Sequence, residues 1–318
     1  MMKQYGVDLI TFYSPQFWGL DTSQELADFA LTAPDRLWSR ILEGCRTAGI
    51  EAIEMTFGPA DRASAERAFG SAEEFRRALD GYGIRLKSGF FVDPVRSPDA
   101  SAAELADRAA SYSDFIARAG GDTVVVAPPM RKSPDAQPPL FVGLETMSRL
   151  ADALHAIGDA TLRNGVRTAV HTEAHSVVCT TRDLDLLMAL TDPVYVGLCP
   201  DTGHLAISGS EPTFAVARHR ERVIISHWKD AIGAMPETPI DDAIHLAHRA
   251  YFRRAGAGSI DWKSWNDLTE TTRDPELVLL ELDAVPDPIA EMTAARLFLE
   301  GCLHHPGGEG RTDHPHND

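Results

Sequence analysis

Short apolar runs rich in β-branched and aromatic residues alternate along the chain with longer stretches in which apolar residues recur every three or four positions. The first pattern predicts buried strands and the second predicts amphipathic helices. Eight strands are predicted, at residues 7–12, 52–57, 85–91, 123–127, 167–173, 194–199, 223–228 and 277–282. Helices are predicted between them, for example at residues 36–48, 71–82, 102–119 and 144–164. Several of these helices run into a glycine that we expect to act as a left-handed C-cap, namely Gly49, Gly83, Gly120 and Gly165.

The order of these elements predicts the fold class. Two strand centres, TVVVA at 123–127 and RVIIS at 222–226, are continuously apolar, as expected for parallel strands that are covered on both faces. Repeated strand–helix units close either as an open doubly wound sheet or as a barrel, and eight strands favour the barrel. No GxGxxG follows the first strand, which argues against a dinucleotide-binding sheet. We therefore predict an α/β fold, a single-domain (β/α)8 TIM barrel over residues 1–302.

Two segments do not follow this alternation of strands and helices. Residues 231–255 are too long for an ordinary loop after the seventh strand, so we predict a lid insertion over the site. Residues 303–318 read LHHPGGEGRTDHPHND and lack core-forming side chains, which predicts a disordered tail.

Charge and hydropathy restrict the partners. The 318 residues carry a formal net charge of -17, the opposite of the basic surface that a nucleic-acid partner requires. No apolar run approaches the ~20 residues of a membrane span, and the N-terminus lacks a secretory signal pattern. We expect a cytoplasmic protein that acts on a small molecule and binds neither nucleic acid nor membrane.

The last four predicted strands end in acid or imidazole groups. The fifth ends in HTEAHS, where His171 and Glu173 share one face because side chains alternate along a strand. The sixth is followed by Asp201, the seventh contains His227, and the eighth contains Glu281. In a barrel these ends meet at the mouth, where active sites are built.

Clustered carboxylates in a barrel mouth imply a cation that neutralises them, since unpaired buried charges are expensive. Oxygen donors with one imidazole suit Mn²⁺ best here, with Mg²⁺, Co²⁺ or Zn²⁺ as alternatives, rather than a thiolate-loving metal. We therefore expect one divalent metal ion, with coordination positions left for substrate oxygens.

These fragments resemble the sugar phosphate isomerase/epimerase superfamily, the xylose-isomerase-like barrels. The motifs that carry the resemblance are Glu173–Ala174–His175, Asp201–Thr202–Gly203–His204, His227–Trp228–Lys229–Asp230, Glu281–Leu282–Asp283 and the glycine-rich stretch 256–262. The resemblance covers about residues 5–300. It is specific for the superfamily and unspecific for one reaction.

The resemblance implies that Glu173, Asp201, His227 and Glu281 hold the metal, while His204 contacts substrate. It also implies proton removal next to a carbonyl, through an enediolate that the metal stabilises. We assign the base to Glu173 or His171 and the opposite acid/base to Glu281. His171 could instead substitute as a ligand.

Two further residues beside the ligand motifs are candidates for substrate contact. They are Lys229 and His175. Lys229 could instead pair only with Asp230 or with a ligand carboxylate.

The opening DLITFYSPQFWGL, together with HTEAHS, CPDTGH and SHWKDA, resembles the catalytic subunit of C-glycoside deglycosidases. That branch cleaves 3-oxo-glycosides and works with a second, smaller subunit. Phe17 and Trp18 would stack on a sugar face or aromatic aglycone, or pack over the barrel mouth. Both a homo-oligomer and a smaller partner subunit stay open.

Three functions follow from these residues. The leading one is a metal-dependent sugar isomerase or epimerase. The second is a lyase with the same first step, of the inosose-dehydratase or deglycosidase type. The third is a barrel that binds a sugar without turnover, which the ligands on all four strands argue against.

Overall fold

A computed structural model of the chain describes residues 3–97, 99–131, 141–241 and 243–303. Its strands follow the predicted apolar runs: β1 Gln4–Asp8, β2 Ala52–Met55, β3 Arg85–Phe91, β4 Thr123–Val126, β5 Arg167–His171, β6 Val196–Cys199, β7 His227–Trp228 and β10 Leu277–Leu280. Two further short strands, β8 Asp230–Ala231 and β9 Phe252–Arg253, form a separate antiparallel pair.

The eight strands that match the predictions form one parallel sheet that closes into a barrel. Its order is β6-β5-β4-β3-β2-β1-β10-β7, so each strand from β1 to β6 lies beside its predecessor and β10 pairs with β1. Two parallel bridges, Leu198 to Val223 and Asp201 to His227, join β6 to the segment that contains β7. The predicted (β/α)8 TIM barrel is therefore confirmed.

The helices surround this sheet. They are α1 Pro15–Trp18, α2 Ser23–Thr32, α3 Pro34–Ala48, α4 Arg62–Phe69, α5 Ala72–Tyr82, α6 Asp93–Arg96, α7 Ala102–Arg118, α8 Leu144–Leu162, α9 Thr181–Leu190, α10 Thr202–Ile207, α11 Pro212–Val216, α12 Ile244–Arg249, α13 Trp262–Thr269 and α14 Pro288–Leu303. The predicted glycine caps have positive φ, for example 75° at Gly49 and 71° at Gly83. This backbone conformation strains any other residue.

The first strand was predicted wrongly at both ends. It ends at Asp8, and the apolar residues Leu9–Phe12 form a 3-10 helix instead. The cause is the Asp8 side chain, which accepts a hydrogen bond from the backbone N–H of Ile10 at 2.6 Å and so caps this turn. The other strands differ from the predictions only at their ends; β5, for example, ends at His171 rather than at residue 173.

Two apolar layers hold the barrel together. Helices pack on the outside of the sheet, where Trp38, Phe69, Phe75 and Phe115 form an aromatic cluster between α3, α4, α5 and α7. Inside the barrel a smaller group fills the floor: Ala52, Val125, Ala169, Cys199, Ile224, Ile225, Leu277 and Leu279. The polar residues of the site stand on top of this second layer.

The segment 231–255 is tied down at both ends by one buried carboxylate. Asp230 accepts hydrogen bonds from the backbone N–H groups of Ala231, Gly256 and Ile260 and from the indole N–H of Trp262, at 2.9 to 3.1 Å. Between these ends lie α12 and β9. Asp230 therefore anchors the glycine-rich stretch, and the alternative pairing with Lys229 is not formed. A lid role for the segment stays a prediction.

Within the described ranges, no helix is long and apolar enough to cross a membrane. Leu303 ends α14, and the rest of the predicted tail, 304–318, lies outside the described residues.

The aromatic cluster yields the first prediction. Phe75 is fully buried, and Phe75→Ala should lower the free energy of unfolding by about 3–5 kcal/mol, because it removes apolar contacts and leaves a cavity. Urea unfolding followed by circular dichroism measures this. Phe214, 64% exposed on α11, is the matched control, and Phe214→Ala should change stability by less than about 0.5 kcal/mol. Equal effects of the two substitutions would contradict this packing.

Candidate active site

Asp201 is held in place by the turn between β6 and α10. Its Oδ1 accepts the backbone N–H of His204 at 2.8 Å as the N-cap of α10, and its own N–H donates to Thr172 Oγ1 at 2.8 Å. Gly203 is required in this turn because an added Cβ would lie 2.8 Å from the Lys229 side chain. With Oδ1 used as a cap, Oδ2 is left on the side of the buried histidines.

His227 lies at the centre of the buried polar group. Its Nε2 is 2.9 Å from Glu54 Oε1, and its Nδ1 is 2.5 Å from Glu281 Oε2 and 3.8 Å from Asp201 Oδ2. His171 completes the group, with Nε2 at 3.8 Å from the same Asp201 oxygen. All of these side chains are less than a tenth exposed.

Four residues, His171, Asp201, His227 and Glu281, offer ligand atoms that lie within 4.8 Å of one another. Asp201 Oδ2, Glu281 Oε2 and the ring nitrogens of both histidines are buried without a hydrogen bond of good geometry within the described residues. Leaving such atoms unsatisfied is costly. A divalent cation would bind one of these atoms from each of the four residues, since imidazole nitrogens and carboxylate oxygens bind at about 2.0–2.2 Å. The residues present therefore fit the expected metal.

Lys229 balances the charge beneath this cluster. It is fully buried, and its Nζ lies 2.7 Å from Glu281 Oε1, 2.9 Å from Asp283 Oδ1 and 3.5 Å from Asp201 Oδ2. Burial alone would lower the pKa of Lys229, but Asp201, Asp283 and Glu281 raise it well above its ordinary value. The ammonium group therefore stays charged and holds these carboxylates in position.

Glu173 stands at the edge of the cluster rather than inside it. Its Oε2 is 3.3 Å from His171 Nδ1, and its Oε1 is 3.5 Å from His204 Nδ1. His204 Nδ1 accepts the backbone N–H of Ala174 at 3.0 Å, and burial lowers the pKa of His204 well below its ordinary value. His204 is thus a neutral imidazole beside a carboxyl group.

The sequence analysis missed two buried carboxyl groups, Asp8 and Glu54. Glu54 on β2 accepts the Ser88 hydroxyl at 2.5 Å and contacts His227. Burial, with the nearby carboxylates of Glu281 and Glu54, raises the pKa of Asp8 well above its usual range. The available signal was a charged residue inside an apolar strand, such as Glu54 in the strand Ala52–Met55.

A cavity of about 390 Å³ lies beside the cluster, and the cluster residues His171 and Glu281 form part of one of its walls. Its polar side contains His171, Glu173, His204, His245, Glu281 and Asp283. Its other side, built by β1 to β4 and the loops after them, is largely apolar: Ile10, Tyr13, Phe57, Phe90, Val92, Val95, Ala127, Pro128 and Met130. Arg96 and Arg249 add two cationic groups to the lining.

Four predicted substrate contacts lie outside this lining, and two of them are aromatic. Phe17 and Trp18 pack on Phe12 and Phe29 and under the Arg40 guanidinium, and the Trp18 indole donates to the Phe12 carbonyl at 2.8 Å. The two aromatic residues therefore pack against neighbouring side chains and do not line the cavity.

The other two are Lys229, which lies beneath the carboxylates, and His175. The Nδ1 of His175 lies 2.8 Å from His248 Nε2 on α12. Of the predicted substrate contacts only His204 lines the cavity.

A family model described as xylose isomerase-like TIM barrel matches residues 42–301. The chain belongs to this family. The resemblance stated from the motifs is thereby confirmed at the level of the family, and the deglycosidase branch is untested by this match.

Curated relatives of this xylose isomerase-like barrel are named as dehydratases. The inosose dehydratase of Lacticaseibacillus casei is 30% identical over 210 residues, which cover 61% of this chain and 70% of that protein. A second relative, inosose dehydratase 2 of Bacillus cereus, is 28% identical over 172 residues, covering 49% of this chain and 54% of that protein.

Two solved structures share the fold. An IolI protein with a bound zinc atom superposes with a TM-score of 0.68 at 16% identity, covering 94% of this chain and 98% of that one. An L-ribulose 3-epimerase superposes with a TM-score of 0.64 at 16% identity, covering 95% of each chain.

The compact cluster predicts that His171 is a metal ligand. His171→Ala should bind one Mn²⁺ fewer per chain than the unaltered protein in equilibrium dialysis, because a ligand atom is lost. His155, whose Nε2 accepts the Asp192 N–H far from the cluster along the chain, supplies the control His155→Ala, which should bind as the unaltered protein does. Unchanged Mn²⁺ binding in His171→Ala would favour the set Glu173, Asp201, His227 and Glu281 instead.

Proposed function

We propose that the chain is a divalent-metal-dependent enzyme that removes a proton next to a carbonyl group of a sugar-like substrate, as an isomerase or epimerase. The observation that carries the proposal is the convergence of His171, Asp201, His227 and Glu281 beside a cavity of about 390 Å³, which His171 and Glu281 line. A bound divalent cation would polarise the substrate carbonyl and so make the neighbouring C–H more acidic.

Glu173 is the group that we assign as the base. It lines the cavity, and its Oε2 is on the side of His171 and the cluster. Its position at the edge of the ligand set allows this oxygen to approach a substrate carbon. His204 lines the cavity beside it as a neutral imidazole, and because its Nδ1 accepts the backbone N–H of Ala174, its Nε2 carries the proton and would act toward a substrate hydroxyl only as a donor.

Glu281 is the group that we assign to the opposite side of the substrate. Burial alone would raise its pKa, but Lys229 and His227 lower it well below the ordinary value, so it is ionised. Lys229 has a positioning role, since it is buried beneath Glu281 and Asp283 and does not reach the cavity. Reprotonation of the same carbon from the opposite face gives an epimer, and reprotonation at the neighbouring carbon gives an isomer.

The apolar side of the cavity favours a second candidate, a lyase. The hydroxyl groups of an unsubstituted sugar would gain little from contact with a wall that includes Phe57, Phe90 and Met130. A bulky apolar leaving group would instead bury the apolar surface of this wall. The same first proton removal would then be followed by departure of the group on the next carbon with its bonding electrons, leaving a carbon–carbon double bond. The inosose dehydratase relatives support this class of reaction.

Solvent deuterium incorporation tests both candidates. The Mn²⁺-loaded protein is incubated in D₂O with ketohexoses, pentuloses, an inosose and 3-oxo-glycosides, and NMR follows exchange beside the carbonyl. Glu173→Gln should slow this exchange by at least about 10²-fold, because the amide cannot take up the proton. Glu145→Gln, an exposed acid on α8, should exchange as the unaltered protein does.

The product separates the two candidates. An epimer or isomer supports the first, and an eliminated leaving group supports the lyase. Metal-dependent exchange that is equally fast in Glu173→Gln would contradict the assignment of the base, and the absence of exchange with every substrate would contradict the proposed reaction.

A further inference from the structure

A second group of metal-ligand side chains lies beside the first and shares no residue with it. Glu173, His245 and His248 each offer one ligand atom, and these atoms lie within 4.8 Å of one another. Glu173 follows β5 on the barrel, whereas both histidines come from α12 in the segment 231–255. The group therefore joins the barrel to that segment.

His248 has a fixed orientation. Its side chain is fully buried, its Nε2 lies 2.8 Å from His175 Nδ1, and the two rings stack at 5.0 Å with an interplanar angle of 14°. Its Nδ1 is buried and has no hydrogen-bond partner in the described part of the chain. Because an unsatisfied buried nitrogen is costly, a bound ligand at this atom would be stabilising.

The distances around Glu173 are those of ligands around an ion. Glu173 Oε1 lies 3.6 Å from His245 Nδ1, which is longer than an ordinary N–H···O hydrogen bond. Two ligands that bind a metal tetrahedrally at about 2.1 Å are themselves about 3.4 Å apart. The carboxylate and the imidazole are therefore spaced for a shared cation.

We propose that Glu173, His245 and His248 form a second divalent-cation site. Two imidazoles and one carboxylate are a donor set that suits Zn²⁺ or Fe²⁺ and leaves coordination positions open. His245 is 53% exposed, so solvent and ions reach the site. The cation takes Oε1 of Glu173 and leaves Oε2, on the His171 side, for proton transfer, while it fastens α12 to the barrel.

Zinc stoichiometry of the full-length protein tests this site. The chain is stripped with a chelator, equilibrated with Zn²⁺ by dialysis, and its tightly bound metal is measured by plasma mass spectrometry. We expect two Zn²⁺ per chain, and one in His245→Ala and in His248→Ala. Leu246, 63% exposed on the same helix, gives the matched control Leu246→Ala, which should keep two.

Two of the variants make the result independent of folding and of other histidines. His245→Ala removes a half-exposed side chain and so carries the test if the buried His248→Ala fails to fold by circular dichroism. A variant with His304, His305, His314 and His316 all replaced by Ala should keep both cations.

The double variant His171→Ala/His245→Ala should bind none, since each substitution removes one site. One Zn²⁺ per chain in the unaltered protein, or two in His245→Ala, would overturn the proposal.

Discussion

The balance of buried charge is the constraint on which the site depends. Asp201, Glu281 and Asp283 approach one another at the barrel mouth, and their mutual repulsion would push them apart or neutralise them. Lys229 offsets part of this charge from below, with Nζ within 3.5 Å of all three. His171 and His227 complete the cluster, each with a ring nitrogen 3.8 Å from Asp201 Oδ2.

The closed barrel keeps this arrangement in place. The four residues His171, Asp201, His227 and Glu281 come from four different strand ends, and a layer of small and branched apolar residues packs beneath them. Asp230 has a separate structural role, because its carboxylate accepts hydrogen bonds from the start of the segment 231–255 and from the glycine-rich stretch after it. The same strand end thus supplies His227 to the site, Lys229 beneath it and Asp230 to the loop.

The cavity has two chemical halves with different origins. The strands from β5 onward supply most of the ionisable groups, and the strands from β1 to β4 with their loops supply a largely apolar wall that also contains Asp8 and Arg96. Under the proposed reaction, the first half moves the proton next to the carbonyl, and the second selects which substrate is held and which group leaves.

The sequence alone predicted the barrel, because apolar period, strand count and glycine caps all agree. It brought together the residues at the ends of β5, β6, β7 and β10 because the ends of parallel strands in a barrel must meet. It could not place Glu54, which is a single acid in an apolar run, nor His245 and His248, since residues 231–255 have no clear period. Phe17 and Trp18 were ambiguous because aromatic residues serve packing and sugar contact equally well.

Anomalous X-ray scattering from crystals loaded with Mn²⁺ tests the central claim most directly. The account predicts a strong anomalous peak within about 2.3 Å of ligand atoms from His171, Asp201, His227 and Glu281, with Lys229 still paired to Glu281 and Asp283. A crystal in which these four side chains hold no metal, and hydrogen-bond only to one another and to water, would contradict it.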